Sequence, residues 1–431
     1  MSIASLALKL AVTGSLPRFA VGVSEPVRIG FLAPLSGPVQ SWGLPGLYGC
    51  RIWVDWINAA GGLLIGGRRH PVELVEHDCG YDPDRAAIGA RQLVQDHGVK
   101  LLLMLGGDTY RPVQSYLTAQ KILTATLLPS DLSPDAPYLI APSEIHPLYN
   151  VTGVEWLARN RPALKRVALC SQTDAVGLPS LATYRAAFAA AGASVVKEVQ
   201  YRPEETAAEA IVAAMLAEAP DILCWCTSYE PMVHALTEAA HQARFRGQIL
   251  SCTADNYPRM VARTSKSFME GFLFQFPDFD DPALRDGAFF FNRPAAFYDE
   301  YNRRFPGAWS AVSWEYAAAL DLWHSAVENS GSVAPVSVLA AMKRAGRVET
   351  VFGDADWSGQ ELFGIDNALV GQWPVVRIEG AKARIVAFGS IPDWLARHGD
   401  LLRREMEALG QMWHQRQGQG AARQTARAYS S

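Results

Sequence analysis

The amino-acid sequence predicts an α/β protein of two doubly wound lobes with mostly parallel sheets. Short apolar runs typical of buried strands alternate with helical segments, and this alternation occurs in two separate series along the chain. A chain of 431 residues is also longer than one hydrophobic core usually supports. Strands that alternate with helices of this length pair in parallel through right-handed crossovers, so each series predicts one lobe.

The first series begins with a buried-strand pattern at 27–33 (VRIGFLA). A helix with Trp53 on its apolar face follows, and two consecutive glycines end it. Asp82 and Pro83 then predict the start of a helix, because Asp caps a first turn and Pro fits its first position. Further strands are predicted at 70–78, 99–105 and 122–128.

The second series has the same order without a close sequence repeat of the first. Its strands are predicted at 166–171, 193–201, 221–228 and 248–252, and its helices at 178–192, 207–220 and 230–247. Ligands of such sheets bind outside the carboxyl ends of the strands, so the loops there are candidate binding loops. They are rich in Ser, Thr, Asp, Gly, Tyr and Trp, which suits a small polar ligand but is also typical of ordinary turns.

Motifs of nucleotide binding and of catalysis are missing. The loop FLAPLSGPVQSWG (31–43) joins the first strand to the first helix, yet it contains neither G-x-x-x-x-G-K-[ST] nor G-x-G-x-x-G. Ser36 does not lie in G-x-S-x-G, so no nucleophile elbow is predicted. H-E-x-x-H is absent, and the nine histidines have no fixed spacing to cysteines. We therefore expect no catalytic residue, no metal site and no cofactor.

Composition argues against several other classes of protein. A formal net charge of -4 without a clustered basic face speaks against nucleic-acid binding. No run after the N-terminal region reaches the ~18 apolar residues of a membrane span. Residues 1–26 resemble a secretory leader weakly, since Arg18 interrupts their apolar stretch. The six cysteines form no C-x-x-C pair, which leaves both disulfides and free buried thiols open.

Several segments carry a family resemblance. They are the strand VRIGFLA, the following loop with P-x-S-G, a helix that ends in INAAGG, and later segments such as VELVEHDCGYDPD and MEGFLFQF. Their order resembles that of the type I periplasmic solute-binding proteins of ABC transporters, in the group of branched-chain amino acid, amide and urea receptors. The likeness covers roughly residues 27–390.

The resemblance implies two lobes joined by three crossovers near 142–146, 275–279 and 346–356, which close on a small solute. It assigns 27–145 with 280–345 to the first lobe, and 146–279 with 346–390 to the second. The solute would be an amino acid, an amide, a urea-like compound or an aromatic acid, delivered in the periplasm to an ABC transporter permease of the inner membrane. The alternative is an intracellular, cytoplasmic ligand sensor of the same fold that controls a partner protein.

Positions that match the family's binding loops give the candidate ligand-binding residues. They are Ser36, Gly37, Trp42, Asp108, Thr109, Tyr110, Ser130 and Asp131 in the first lobe, and Val176, Tyr229, Glu230 and Asp255 in the second. Asp131 departs from the family pattern, because a carboxylate there would repel a ligand carboxylate unless a cation such as Arg111 compensates. Glu230 or Asp255 could meet an ammonium group, or could cap the helix that follows.

The C-terminal region extends beyond the family core. Apolar residues recur at helical spacing over 391–415, namely Trp394, Leu395, Leu401, Leu402, Met406, Leu409, Met412 and Trp413. They predict a helix that docks on its own protein, with self-association or a partner contact as the alternative. The polar segment 416–431 predicts a disordered tail.

Overall fold

The computed structural model describes residues 24–285 and 293–416. The predicted leader (1–26) and the predicted tail (416–431) lie outside these residues except at their inner ends. The described chain forms a five-stranded sheet, a nine-stranded sheet and a separate hairpin. The mixed α/β architecture with parallel sheets confirms the predicted fold class.

The first sheet is parallel throughout. Its strands are β1 (Val27–Ala33), β4 (Val72–Asp78), β5 (Leu101–Met104), β6 (Leu123–Thr126) and β7 (Leu139–Ile140), and the hairpin consists of β2 (Leu63–Ile65) and β3 (Arg68–His70). The strand order is β4-β1-β5-β6-β7, so β4 pairs on one side of β1 and β5 on the other. A crevice therefore opens at the carboxyl ends of β1 and β5, where the winding changes direction.

The second sheet repeats this order and extends it. Its strands are β8 (Arg166–Gln172), β9 (Ser194–Tyr201), β10 (Ile222–Trp225), β11 (Gln248–Ser251), β12 (Leu273–Phe274), β13 (Val348–Thr350), β14 (Gly353–Ser358), β15 (Ala368–Glu379) and β16 (Lys382–Ser390). The strands β9-β8-β10-β11-β12 are parallel, and β15 joins β12 in antiparallel orientation. The winding changes direction between β8 and β10, which gives this sheet its own crevice.

Helices connect the strands and cover the sheets. They are α1 (Leu44–Ala59), α2 (Pro83–Arg91), α3 (Gln114–Ala119), α4 (Asn150–Asn160), α5 (Gly177–Ala190), α6 (Ala208–Leu216), α7 (Glu230–Gln242), α8 (Tyr257–Arg263), α9 (Lys266–Met269), α10 (Pro294–Arg304), α11 (Val312–Ser330), α12 (Pro335–Arg344), α13 (Gln360–Phe363) and α14 (Ile391–Ala408). The predicted start of α2 is confirmed, because the Asp82 carboxylate accepts a 2.8 Å hydrogen bond from the backbone N–H of Arg85.

Helix α11 packs on α1 beside the first sheet, although it lies between β12 and β13 of the second sheet in the sequence. Two glycines of α1 allow this close approach. A Cβ at Gly49 would lie 1.9 Å from the carbonyl oxygen of Ser313, and one at Gly46 would lie 2.2 Å from Cδ2 of Tyr316. The chain thus passes from one sheet and its covering helices to the other after β7, after β12 and after α12. The lobe boundaries given above stay a prediction.

The C-terminal helix α14 packs on α5 and α4, so it docks on its own protein as predicted. The side chains of Trp394, Leu402 and Met406 are buried. The helix ends at Ala408, earlier than the apolar pattern predicts, because Gly410 adopts a left-handed backbone with φ 67°.

Candidate functional site

The crevices of the two sheets face each other across a small cavity. The loops after β1, β5, β8 and β10 supply Trp42, Leu105, Val176 and Thr227 to its wall. The volume open to the centre of a water-sized sphere is about 30 Å³. That is room for roughly one or two water molecules, so a larger ligand requires the walls to move apart.

A hydrogen bond between Trp42 and Asp255 crosses this cavity. The indole Nε1 donates to Oδ2 of Asp255 at 2.9 Å, and the Trp42 ring meets the ring of Tyr229 edge to face at 5.5 Å. Burial, followed by the charge of Glu230, raises the pKa of Asp255 to about 7, and the indole donor offsets part of this rise. Asp255 therefore changes its charge near neutral pH.

Two further carboxyl groups, Glu144 and Glu315, face the same cavity. Glu144 follows β7 and accepts a 3.1 Å hydrogen bond from the hydroxyl of Tyr149. Burial raises the pKa of Glu144 to about 8. Glu315 lies on α11 with no exposed surface, and burial followed by the charges of Glu144 and Asp255 raises its pKa well above the ordinary value. The carboxyl group of Glu315 pairs with that of Glu144, and apart from this acidic neighbour its oxygens have no hydrogen-bond partner among the described residues.

The one histidine among the residues lining the described cavity is neutral. Burial lowers the pKa of His146 to about 3, and its Nε2 lies 2.6 Å from the hydroxyl oxygen of Thr227. The Thr227 hydroxyl in turn donates to the sulfur of Cys252 at 2.9 Å. Such a buried, neutral imidazole can exchange hydrogen bonds with a ligand but does not offset the carboxyl groups.

More acidic and aromatic side chains stand at the mouth of the cleft. Asp174 follows β8, and burial, together with the nearby charge of Asp108 after β5, raises the pKa of Asp174 to about 6. The hydroxyl of Tyr229 donates to Asp174 at 3.4 Å, and the ring of Tyr81 meets that of Tyr229 at 6.2 Å. Carboxyl groups from loops of both sheets therefore approach each other here as well.

The predicted binding residues divide into three groups. Trp42, Val176 and Asp255 line the cavity, whereas Asp108, Tyr229 and Glu230 stand beside it or at its mouth. The remaining predicted residues, which lie elsewhere, are Ser36, Gly37, Thr109, Tyr110, Ser130 and Asp131. The ligand-binding role of all twelve stays a prediction.

Local contacts explain why the third group lies apart. The hydroxyl of Ser36 donates to Asp78 at 2.6 Å, and that of Thr109 donates to the carbonyl of Gly106 at 2.8 Å. Asp131 accepts from the N–H of Gly107 at 2.7 Å. Tyr110, Ser130 and Asp131 line a separate depression next to Trp413 and Arg416 of the C-terminal segment.

Sequence reasoning missed Glu144, His146, Tyr149, Thr227 and Glu315. Glu144, His146 and Tyr149 lie in a segment that was not matched to a binding position, Thr227 precedes the candidate Tyr229 in the same loop, and Glu315 lies inside a helix. A signal was nevertheless present in the segment AVSWEYAAALDLW, where a single glutamate interrupts a long apolar stretch. A buried carboxyl group without a partner is costly, so such a residue points to a functional site.

Other classes of site find no support among the described residues. They contain no group of three or more His, Cys, Asp or Glu side chains that could hold a metal ion. All six cysteines are buried and free. No helix in the described ranges combines the length and apolar character that a membrane crossing needs.

Comparison with known proteins gives the family. The family model for periplasmic binding proteins matches residues 26–383, which is most of the chain. The chain therefore belongs to the periplasmic binding protein family, and its fold is the type I fold that the sequence predicts. No curated protein sequence matches.

Solved structures of solute-binding proteins share this fold. An ABC transporter substrate-binding protein from Sphaerobacter thermophilus is 20% identical, with 85% of this chain and 98% of that chain covered and a TM-score of 0.69. A solute-binding protein from Rhodopseudomonas palustris in complex with p-hydroxybenzoic acid is 18% identical, with 86% and 98% covered and a TM-score of 0.70. A leucine-binding protein from Thermotoga maritima is 18% identical, with 85% and 99% covered and a TM-score of 0.69.

Proposed function

We propose that this protein is the substrate-binding component of an ABC importer, which captures a small organic solute outside the cytoplasmic membrane and carries it to the permease. The observation that carries the proposal is the small cavity between the crevices of two doubly wound sheets, bridged by the hydrogen bond from Trp42 to Asp255. Crevices of this kind bind ligands, and two facing crevices enclose a ligand when they close.

The mechanism follows from this arrangement. The first lobe (27–145 with 280–345) and the second lobe (146–279 with 346–390) separate at the three connecting segments and admit the solute. Closure then buries the solute and forms the contact between Trp42 and Asp255. Binding without chemistry fits the family, and the structures of similar fold include proteins in complex with aromatic acids and with isoleucine.

A ligand screen by thermal unfolding tests this function. The panel comprises amino acids, amides, urea analogues, aromatic acids and the matching amines. A ligand at ~100 times its dissociation constant should add about 2.7 kcal/mol of stability. Small-angle X-ray scattering should show a smaller radius of gyration with the hit than without it. A hit that leaves the radius unchanged would contradict binding by closure.

Two variants and one localisation experiment complete the test. Trp42→Ala and Tyr229→Ala should weaken the hit and leave the ligand-free fold intact, and unchanged affinity in both would mean that the solute binds elsewhere. Recovery of the solute unaltered after incubation separates binding from catalysis. Cell fractionation separates the importer from an intracellular sensor, because a full-length cytosolic protein would contradict the transport function.

A further inference from the structure

The charged side chains among the described residues that line the cavity are all acidic. Glu144, Asp255 and Glu315 approach it from three different elements, namely the segment after β7, the loop after β11 and helix α11. The described residues that line the cavity include no Arg and no Lys. His146 is neutral there, as shown above. A bound carboxylate would thus enter a site that already holds three acidic groups and no cation to compensate its charge.

Glu315 is the most exceptional member of this set. Its side chain lines the cavity with no exposed surface, and apart from the carboxyl group of Glu144 its oxygens have no hydrogen-bond partner among the described residues. A buried carboxyl group normally keeps its hydrogen bonds, because burial removes it from water and no solvent then replaces a bond that is lost. A proton shared with Glu144 occupies one acceptor position of Glu315, so its remaining acceptors call for a donor that the described residues do not supply.

The groups that face Glu315 supply at most one shared proton. A protonated Glu144 can donate that proton to Glu315, whereas the charges of Glu144 and Asp255 raise the pKa of Glu315 and offset none of its charge. The hydroxyl of Tyr149 on α4 already donates to Glu144. The adjacent hydroxyl of Tyr316 donates to the carbonyl oxygen of Trp42 at 3.2 Å.

The rest of the wall is apolar and aromatic. Trp42, Tyr149 and Phe276 contribute rings, and Leu128, Val176 and Val312 contribute aliphatic surface. Aromatic faces attract organic cations and also pack against hydrocarbon groups. The wall thus combines surface for a small carbon skeleton with acceptors for a positively charged group that carries N–H donors.

We propose that the cavity selects a small organic ammonium ion, whose N–H groups donate to Glu315 and Glu144 and whose carbon skeleton packs against Trp42 and Phe276. This inference rests on the proposed solute-binding function and names the charge class of its ligand. Closure without a cation would bring Glu315 of the first lobe close to Asp255 of the second lobe. It would likewise bring Asp108 of the first lobe close to Asp174 of the second. A cation between them offsets this repulsion, so the ligand itself favours the closed state.

Matched ligands of equal shape and different charge test the proposal. Titration calorimetry at about pH 8, where the carboxyl groups are more fully ionised, would compare benzylamine, benzamide and benzoate, and likewise 3-methylbutylamine and leucine. We expect each amine to bind at least about tenfold more tightly than its amide, acid or amino-acid counterpart. Benzoate or leucine binding as tightly as the amine would overturn the ammonium proposal and leave the solute-binding function standing. Binding of no compound in the full ligand panel would overturn both.

Glu315→Gln tests the assigned acceptor. The substitution keeps the shape and removes the negative charge, so the affinity for the best amine should fall about tenfold to hundredfold, while the affinity for benzamide should not fall. Glu209→Gln on the exposed start of α6 is the matched control and should leave both affinities unchanged. An unchanged amine affinity in Glu315→Gln would mean that Glu144 and Glu315 only share a proton. If this variant fails to fold, the comparison of ligands on the unaltered protein still decides the proposal.

Discussion

The indole of Trp42 donates a 2.9 Å hydrogen bond to the carboxyl group of Asp255, and the two residues lie in loops of different sheets. Trp42 lies in the loop after β1 of the first sheet, and Asp255 lies in the loop after β11 of the second sheet. Each side chain keeps only 6% of its surface exposed. Because this bond requires contact between the two loops, it should stabilise the closed state of the proposed mechanism specifically.

Trp42→Phe should therefore weaken ligand binding more than it weakens the fold. Phenylalanine keeps an aromatic contact with Tyr229 but leaves the buried Asp255 without its donor, a loss of about 1–3 kcal/mol in the closed state. The apparent affinity for the solute should fall ~5- to 100-fold. Titration calorimetry measures this change. Trp156→Phe on α4, away from the cavity, is the control, and an equal loss in both variants would contradict a role in closure.

The stability of the ligand-free protein should fall as the pH rises from about 5 to about 8. A carboxyl group of the unfolded chain has a pKa of about 4, whereas burial raises the pKa of Asp255 to about 7 and that of Glu144 to about 8. Between these values the folded protein binds more protons than the unfolded chain, so the free energy of unfolding decreases with increasing pH. The slope should reach at most about 1.4 kcal/mol per pH unit for each group.

Urea unfolding at a series of pH values measures this slope. Glu315→Gln should flatten it, because the variant removes one buried group whose pKa burial raises well above the ordinary value. Glu209→Gln should keep the slope of the unaltered protein, since Glu209 is exposed. Identical slopes in all three proteins would show that the buried carboxyl groups do not control the pH dependence.

The sequence predicts the fold well because the fold depends on local patterns. Alternating strand and helix signals define both sheets, and Asp82 with Pro83 marks a helix start that the structure reproduces. Two of the candidate residues from the loops after the strands, Trp42 and Asp255, line the cavity, and their role in binding stays a prediction. Local signals suffice here, since the carboxyl ends of parallel strands always meet at one edge of a sheet.

The sequence does not predict the acidic cluster, because that cluster depends on contacts between distant segments. Glu144 follows the last strand of the first sheet, whereas Glu315 comes from a helix that follows strands of the second sheet. Only the packing of α11 on α1 brings Glu315 to the cavity. Asp131 differs from these residues: its position in a strand-end loop predicts a ligand contact, its carboxylate accepts a hydrogen bond from the backbone N–H of Gly107, and its role in binding stays a prediction.

Gly49→Ala should test the helix contact that positions Glu315. The added Cβ would lie 1.9 Å from the carbonyl oxygen of Ser313, so α1 and α11 would have to move apart. We expect a loss of about 1–3 kcal/mol in the free energy of unfolding, measured with urea, together with weaker solute binding. Gly399→Ala in α14 is the control. No atom lies within 4 Å of its added Cβ, so it should leave stability unchanged or raise it by about 0.5–1 kcal/mol.

Leu402→Ala and Leu401→Ala should distinguish a docked C-terminal helix from a helix that mediates self-association. Leu402 has no exposed surface where α14 meets the rest of the protein, so its truncation should cost about 2–5 kcal/mol of stability. Truncation of Leu401, its half-buried neighbour, should lower the free energy of unfolding by no more than about 1 kcal/mol. Urea unfolding measures both changes, and sedimentation at several protein concentrations reports the oligomeric state. If Leu401→Ala dissociated an oligomer while stability stayed the same, the outer side of α14 would be an interface, because a helix that serves only its own fold has no effect on association.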